Sequence, residues 1–154
     1  MGRSTLCAMT VAGSLLLASG LLTGCDESLK TVTGPTPNLE PTFTSIQRDI
    51  FNARDLANRQ ACIECHTDQG RTPSSNLVLL DGRSYNNLVG RGSTGKAGET
   101  LVVPGDPSNS YIVKKLEGAA DIAGQRMPRG TGPFLTSGQI SVIRRWIEIG
   151  APNN

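Results

Sequence analysis

The sequence predicts a small all-α domain, and three observations carry that expectation. Apolar residues recur at helical spacing early in the folded part, at Phe43, Ile46, Ile50, Ala53 and Ala57. They do so again near the end, where Ile140, Ile143 and Ile147 make one stripe and Val142, Trp146 and Ile149 an adjacent one. Repeats of three and four residues put side chains on one face of a helix. Third, Thr136 and Gln139 stand in capping-box register just ahead of the second stripe, with Leu135 and Ile140 spaced as a hydrophobic staple. Three to five helices within residues 42–154 satisfy these signals.

The chain ahead of that domain has a different character. Arg3 precedes an apolar stretch, Leu6 to Leu22, broken by Thr10, Gly13, Ser14, Ser19 and Gly20. A charged start and a short apolar region read as an export signal, residues 1–24, rather than a membrane span. The signal ends Leu22-Thr23-Gly24-Cys25, which resembles a bacterial lipobox. That resemblance implies cleavage before Cys25 and lipidation of its thiol. The protein would then be anchored to the inner or outer membrane of a bacterial cell envelope, facing the periplasm. An ordinary export signal with an incidental cysteine is the alternative. Each buried methylene contributes about 0.8 kcal/mol and one acyl chain holds only marginally, so two or three make a lasting anchor. Residues 25–41 read as a tether, because Gly34-Pro35-Thr36-Pro37 and Glu40-Pro41 deny regular structure. A formal charge of only +2 lacks the basic excess that nucleic-acid binding calls for.

Residues 44–59 form the first expected helix, which leads into Cys62-Ile63-Glu64-Cys65-His66. Two thiols three residues apart with a histidine directly after them make the C-x-x-C-H pattern of covalent haem attachment. On a helical turn, residues i and i+3 share a face, so Cys62 and Cys65 can reach the two vinyl groups of one porphyrin. His66 is then placed to put an imidazole nitrogen on the iron, and it is the only histidine in the chain. Zinc is the competing reading, but it takes four ligands, usually as two separated pairs, and no second pair follows Cys65. A redox C-x-x-C is the other alternative, yet nothing nearby reads as a βαβ unit. With Cys7 in the signal and Cys25 lipidated, no cysteine is left for a structural disulfide.

After the motif, residues 67–76 read as loop, and Leu77-Val78-Leu79-Leu80 as a short strand or a wall beside the cofactor. Residues 84–89 suit a short helix turning Tyr85 and Leu88 inward. Gly90-Arg91-Gly92-Ser93-Thr94-Gly95-Lys96 matches most of a phosphate-binding loop, but Ala97 stands where magnesium needs a hydroxyl. A Gly-rich surface loop is the expectation there, with no nucleotide. Asp106 reads as an N-cap with Pro107 at the first helical position, opening a helix that runs to Glu117 and closes at Gly118. Ile112 and Leu116 would face inward, with Lys114 and Lys115 solvated.

A haem iron held by one histidine has a second axial position. Once the signal is removed Met127 is the only methionine, and Pro128 after it keeps it out of a helix. A loop methionine can present its thioether to the iron, giving His/Met ligation, which raises the reduction potential. A gap-filling core methionine is the alternative, with Lys96 or an open position in its place on the iron.

Cys62 to His66, then Val103-Pro104-Gly105-Asp106-Pro107, Met127-Pro128, Trp146-Ile147 and Gly150-Ala151-Pro152 resemble class I cytochrome c domains of the short planctomycete type. The resemblance covers nearly the whole of residues 42–154. One departure is Arg129, where that type tends to carry a second proline. The resemblance implies a small cytochrome c fold, with the first and last helices crossing beside one haem c attached through Cys62 and Cys65. It implies attachment outside the cytoplasm and single-electron transfer between redox protein partners, with no catalytic residues. Few aromatic residues leave a thin core, which a buried porphyrin would fill out. Arg126 and Arg129 beside Met127 would suit an acidic partner. A haem-based sensor or peroxidase-like enzyme with a displaceable Met127 is the rival, weakened by the lack of a distal histidine.

Overall fold

The computed structural model describes residues 38–54 and 58–154. The export signal (1–24), Cys25, most of the tether and Ala57 lie outside them. Among the described residues the regular structure is helical, with isolated β-bridges and no strand. Helix α1 is Phe43–Ile46, continued by a wider π turn over Gln47–Phe51. Three further α-helices follow: α2 at Ser84–Leu88, α3 at Tyr111–Glu117 and α4 at Ser137–Glu148. Short 3₁₀ turns occupy Cys62–Glu64 and Ser74–Asn76.

Helix α1 begins where the free N–H groups of its first turn find partners. Thr42 Oγ1 accepts from Ser45 N at 3.2 Å, and Asn154 supplies Oδ1 to Phe43 N and its carbonyl to Thr44 N. The helix stops far short of residue 59, contrary to the periodicity. Asn52 N closes a π-type bond to Gln47 O at 2.9 Å, and the chain then leaves the helix. The carbonyls freed at that end go to the Arg59 guanidinium, which donates to Ile50 O and Ala53 O. Arg59 is fully buried. A cation at a helix C-terminus meets both the unpaired carbonyls and the dipole, so it replaces the missing helical turns.

Helix α4 follows its sequence signals closely. Thr136 Oγ1 accepts from Gln139 N, Gln139 Oε1 accepts from Thr136 N, and Leu135 and Ile140 are both buried in the core. Ile140, Ile143, Trp146 and Ile147 face inward, whereas Ile149 lies past the last helical residue and is 47 % exposed. Phe43 of α1 packs on Trp146 of α4 with ring centroids 5.4 Å apart, and stands edge-on to Phe51 and Tyr85. The Trp146 indole N–H donates to Pro152 O and the Tyr85 hydroxyl to Ala151 O, so both aromatic tips are satisfied at the tail of the chain.

Helix α3 starts later than expected. Its N-cap is Ser110, while Asp106 Oδ1 accepts from Ser108 N and Asn109 N and so closes a turn ahead of the helix. Asp106 caps, but it caps the turn. Tyr111, Val113 and Leu116 are the buried residues of α3, and Ile112 is half-buried. Gly118 ends it in the left-handed conformation, φ 76°, where a side chain would also meet Arg126. The run 77–80 is extended but unpaired as a strand, with Val78 and Leu79 in the core. Gln47 reaches it from α1, donating Nε2 to Leu79 O at 2.9 Å and accepting from the Ser84 hydroxyl of α2.

Candidate haem-attachment site

The five motif residues sit on one tight turn. Cys65 N and His66 N both donate to Cys62 O, at 3.2 and 2.9 Å. The 3₁₀ turn proper is Cys62–Glu64, and Cys65 is the residue that closes it. Both thiols are unbridged and half-buried. Glu64 locks the turn from outside: Oε1 accepts from Ala61 N at 2.9 Å, and Oε2 pairs with Arg54 at 2.6 Å. Cys62 Sγ lies 3.7 Å from Ile50 O, the carbonyl that Arg59 also contacts. Burial pushes the Cys62 thiol up, against the pull of Arg59, so the sulfur stays protonated.

His66 is oriented by the backbone that follows it. Its Nδ1 lies 3.1 Å from Ser74 O. A carbonyl can only accept, so Nδ1 carries the proton and Nε2 keeps a free lone pair. An imidazole that binds a metal through one nitrogen commonly has the other held by a carbonyl in this way. The main chain is pinned as well, with Leu79 N donating to His66 O and Ser74 N to Cys65 O. Burial, with the cations of Arg71 and Lys115 acting on the ring, holds His66 below its ordinary value despite the bonds at Ser74 and Leu77. The neutral ring is the form that binds a metal.

Cys62, Ile63, Leu77 and Met127 are all partly buried at the edge of the core cluster, giving the motif an apolar surround. Among the described residues no three His, Cys, Asp or Glu side chains are grouped to hold a metal ion. Two surface clefts, of about 660 and 480 Å³, contain none of the motif residues. They are lined largely by polar side chains near Arg48 and the chain end.

Met127 is half-buried, in a loop as expected, and its N–H donates to Lys115 O at 2.9 Å. The Lys115 ammonium also adds a small electrostatic push on the His66 ring. Lys96 is committed elsewhere: its Nζ donates to Glu99 at 3.0 Å and to Asp121 O at 2.6 Å, and lies 5.7 Å from the Tyr111 ring centre. This explains the phosphate-loop resemblance as a Gly-rich turn whose lysine is an anchor. Lys114 is likewise held, 3.1 Å from Glu99. Arg126 is a brace, donating Nε to Leu116 O at 2.7 Å with its guanidinium over Phe134; Arg129 is exposed.

Arg59, the Ser74 carbonyl and Lys115 were not foreseen as parts of the site. Burial of an arginine and the direction of a carbonyl leave no local mark in the sequence. Among the described residues no helix is long and apolar enough to cross a membrane. No protein-family model, no curated protein and no solved structure matches the chain.

Proposed function

We propose that this chain is a lipid-anchored, monohaem c-type cytochrome that carries single electrons between redox protein partners and catalyses no reaction of its own. The observation that carries the reading is the His66 tautomer: Nδ1–H bound to Ser74 O leaves Nε2 to ligate. It occurs within a C-x-x-C-H turn whose two thiols are unbridged and half-buried. Haem, when bound, supplies an iron that takes up and gives back one electron. In attachment, each thiol adds across one vinyl double bond, sulfur to one carbon and hydrogen to the other, with nothing released. The Ser74 carbonyl keeps His66 in one tautomer and makes it a better donor. Met127, from the other loop, offers a soft uncharged thioether as sixth ligand. Arg71 and Arg129 leave positive charge near the site, which favours an acidic partner surface.

The test is covalency. Protein matured with a c-type haem assembly system should keep its haem through denaturing electrophoresis, and replacing both Cys62 and Cys65 by alanine should abolish that signal. Release of haem from the wild-type chain into acid acetone would refute the reading.

A further inference from the structure

Helix α3 ends by handing its last carbonyls to the loop that carries Met127. An α-helix leaves its final C=O groups without intrahelical partners. Here Lys114 O takes the N–H groups of Gly118 and Ala119, Lys115 O takes that of Met127 at 2.9 Å, and Leu116 O takes Arg126 Nε at 2.7 Å. The side chain of Lys115 then turns onto the same loop, donating Nζ to Ala123 O at 2.8 Å and to Gln125 O. Tyr111, one helical turn earlier, accepts from Ala123 N at 2.9 Å. Lys115 is therefore bound to the loop at three of its residues, twice through the ammonium and once through its own carbonyl. It has no ion pair among the described residues, unlike its neighbour Lys114, which faces Glu99.

We propose that Lys115 is the positioning residue of the methionine loop, clamping residues 123–127 onto the end of α3 so that the Met127 thioether is held in place as sixth ligand. The proposal rests on the haem reading above. An ammonium that donates to two carbonyls makes charge-assisted bonds, stronger than neutral ones. Because both are to backbone, they fix the course of the loop whatever its side chains.

The experiment uses holoprotein of the wild type and of Lys115→Met, Lys115→Arg, Lys114→Met and Met127→Ala. Lys115→Met keeps an unbranched side chain and loses both donations. It should raise carbon monoxide affinity of the ferrous form on the order of tenfold, the scale of one lost charge-assisted bond. It should also weaken the sulfur-to-iron charge-transfer band and speed amide exchange at 123–127. Haem should remain covalently attached. Lys115→Arg should recover much of the wild-type behaviour, and Lys114→Met, an equal charge loss on the same helix, should leave carbon monoxide binding unchanged. If Lys115→Met yields no holoprotein, Lys115→Leu, which also lacks a donor, makes the same comparison. The clamp is overturned if Lys115→Met matches wild type in exchange and carbon monoxide binding while Met127→Ala opens the site. If Met127→Ala leaves spectrum and ligand binding unchanged, the sixth-ligand assignment falls and the proposal with it. Haem lost in acid acetone marks failure of the haem reading itself.

Discussion

Replacing Gln47 by leucine tests whether the buried amide ties together the three segments around His66. Gln47 is 6 % exposed and Ser84 is fully buried. Gln47 Nε2 donates to Leu79 O at 2.9 Å and to Asn52 Oδ1 at 2.8 Å, while Oε1 accepts from the Ser84 hydroxyl. Leu79 in turn donates its N–H to His66 O at 2.8 Å. In Gln47→Leu the Asn52 side chain turns to water, but Leu79 O and the Ser84 hydroxyl are orphaned inside. Each such group costs about 1–3 kcal/mol, so the pair costs about 2–6. Burying the leucine returns about 1.5–3 kcal/mol. The expected net loss is therefore roughly 1–3 kcal/mol. Adding Ser84→Ala removes one orphan, so the double variant should be less destabilised than the sum of the single ones. A coupling of at least about 0.5 kcal/mol is expected. Urea unfolding of holoprotein, followed by far-UV circular dichroism, measures all four corners. Additive effects within about 0.3 kcal/mol would mean that the amide is not what joins these segments.

Three further outcomes are expected. Met127→His should shift the iron to nitrogen ligation and lower the potential, since imidazole stabilises ferric iron better than thioether does; an unchanged potential in a voltammetric titration points to another sixth ligand. Lys96 and Lys114 hold the Glu99 carboxyl below its ordinary 4.5, and Lys96 with Lys114 holds Asp121 below 3.8. A carboxylate depressed on folding contributes stability that is full above the ordinary value and lost as pH falls through the folded one. Stability should therefore fall below about pH 4, and Glu99→Gln should flatten that acid limb in melting curves; an identical slope counts against the cluster. Finally, radiolabelled fatty acid should enter the wild type and not Cys25→Ala, and a labelled Cys25→Ala would remove the lipid anchor.

The parts legible in the sequence were those whose determinants are close together in the chain. The Thr136–Gln139 cap and the Ile140, Ile143, Trp146 and Ile147 face of α4 depend on residues within a few positions of one another, and both stand as expected. The misjudged boundaries were set by partners remote in sequence or easily mistaken. Helix α1 ends at Phe51 because Arg59 folds back onto its carbonyls, although Ala53 continues the apolar rhythm. Asp106 and Pro107 look like a helix start, yet the Asp106 carboxylate takes Ser108 and Asn109 N–H groups and delays the helix to Tyr111. Lys115 reads as a solvated surface lysine, and only the path of residues 119–127 around α3 reveals its carbonyl partners. The Cys62–His66 turn could thus be located from sequence, while the partners that hold the His66 ring and the Met127 backbone could not.

The Asn154 contacts impose an order of events. Phe43 N donates to Asn154 Oδ1 and Thr44 N to Asn154 O, contacts that span 111 and 110 residues. Phe43 also waits for Trp146, so α1, the first helix among the described residues, is among the last to be completed. Contacts this remote form late, because a long loop must close before they give any return. Until then nothing from α4 covers α1, and the chain remains loose enough to be threaded. The tail is the clasp of the fold: the Phe43 N–H, the Tyr85 hydroxyl and the Trp146 indole N–H all wait for Asn154, Ala151 and Pro152 to supply their acceptors.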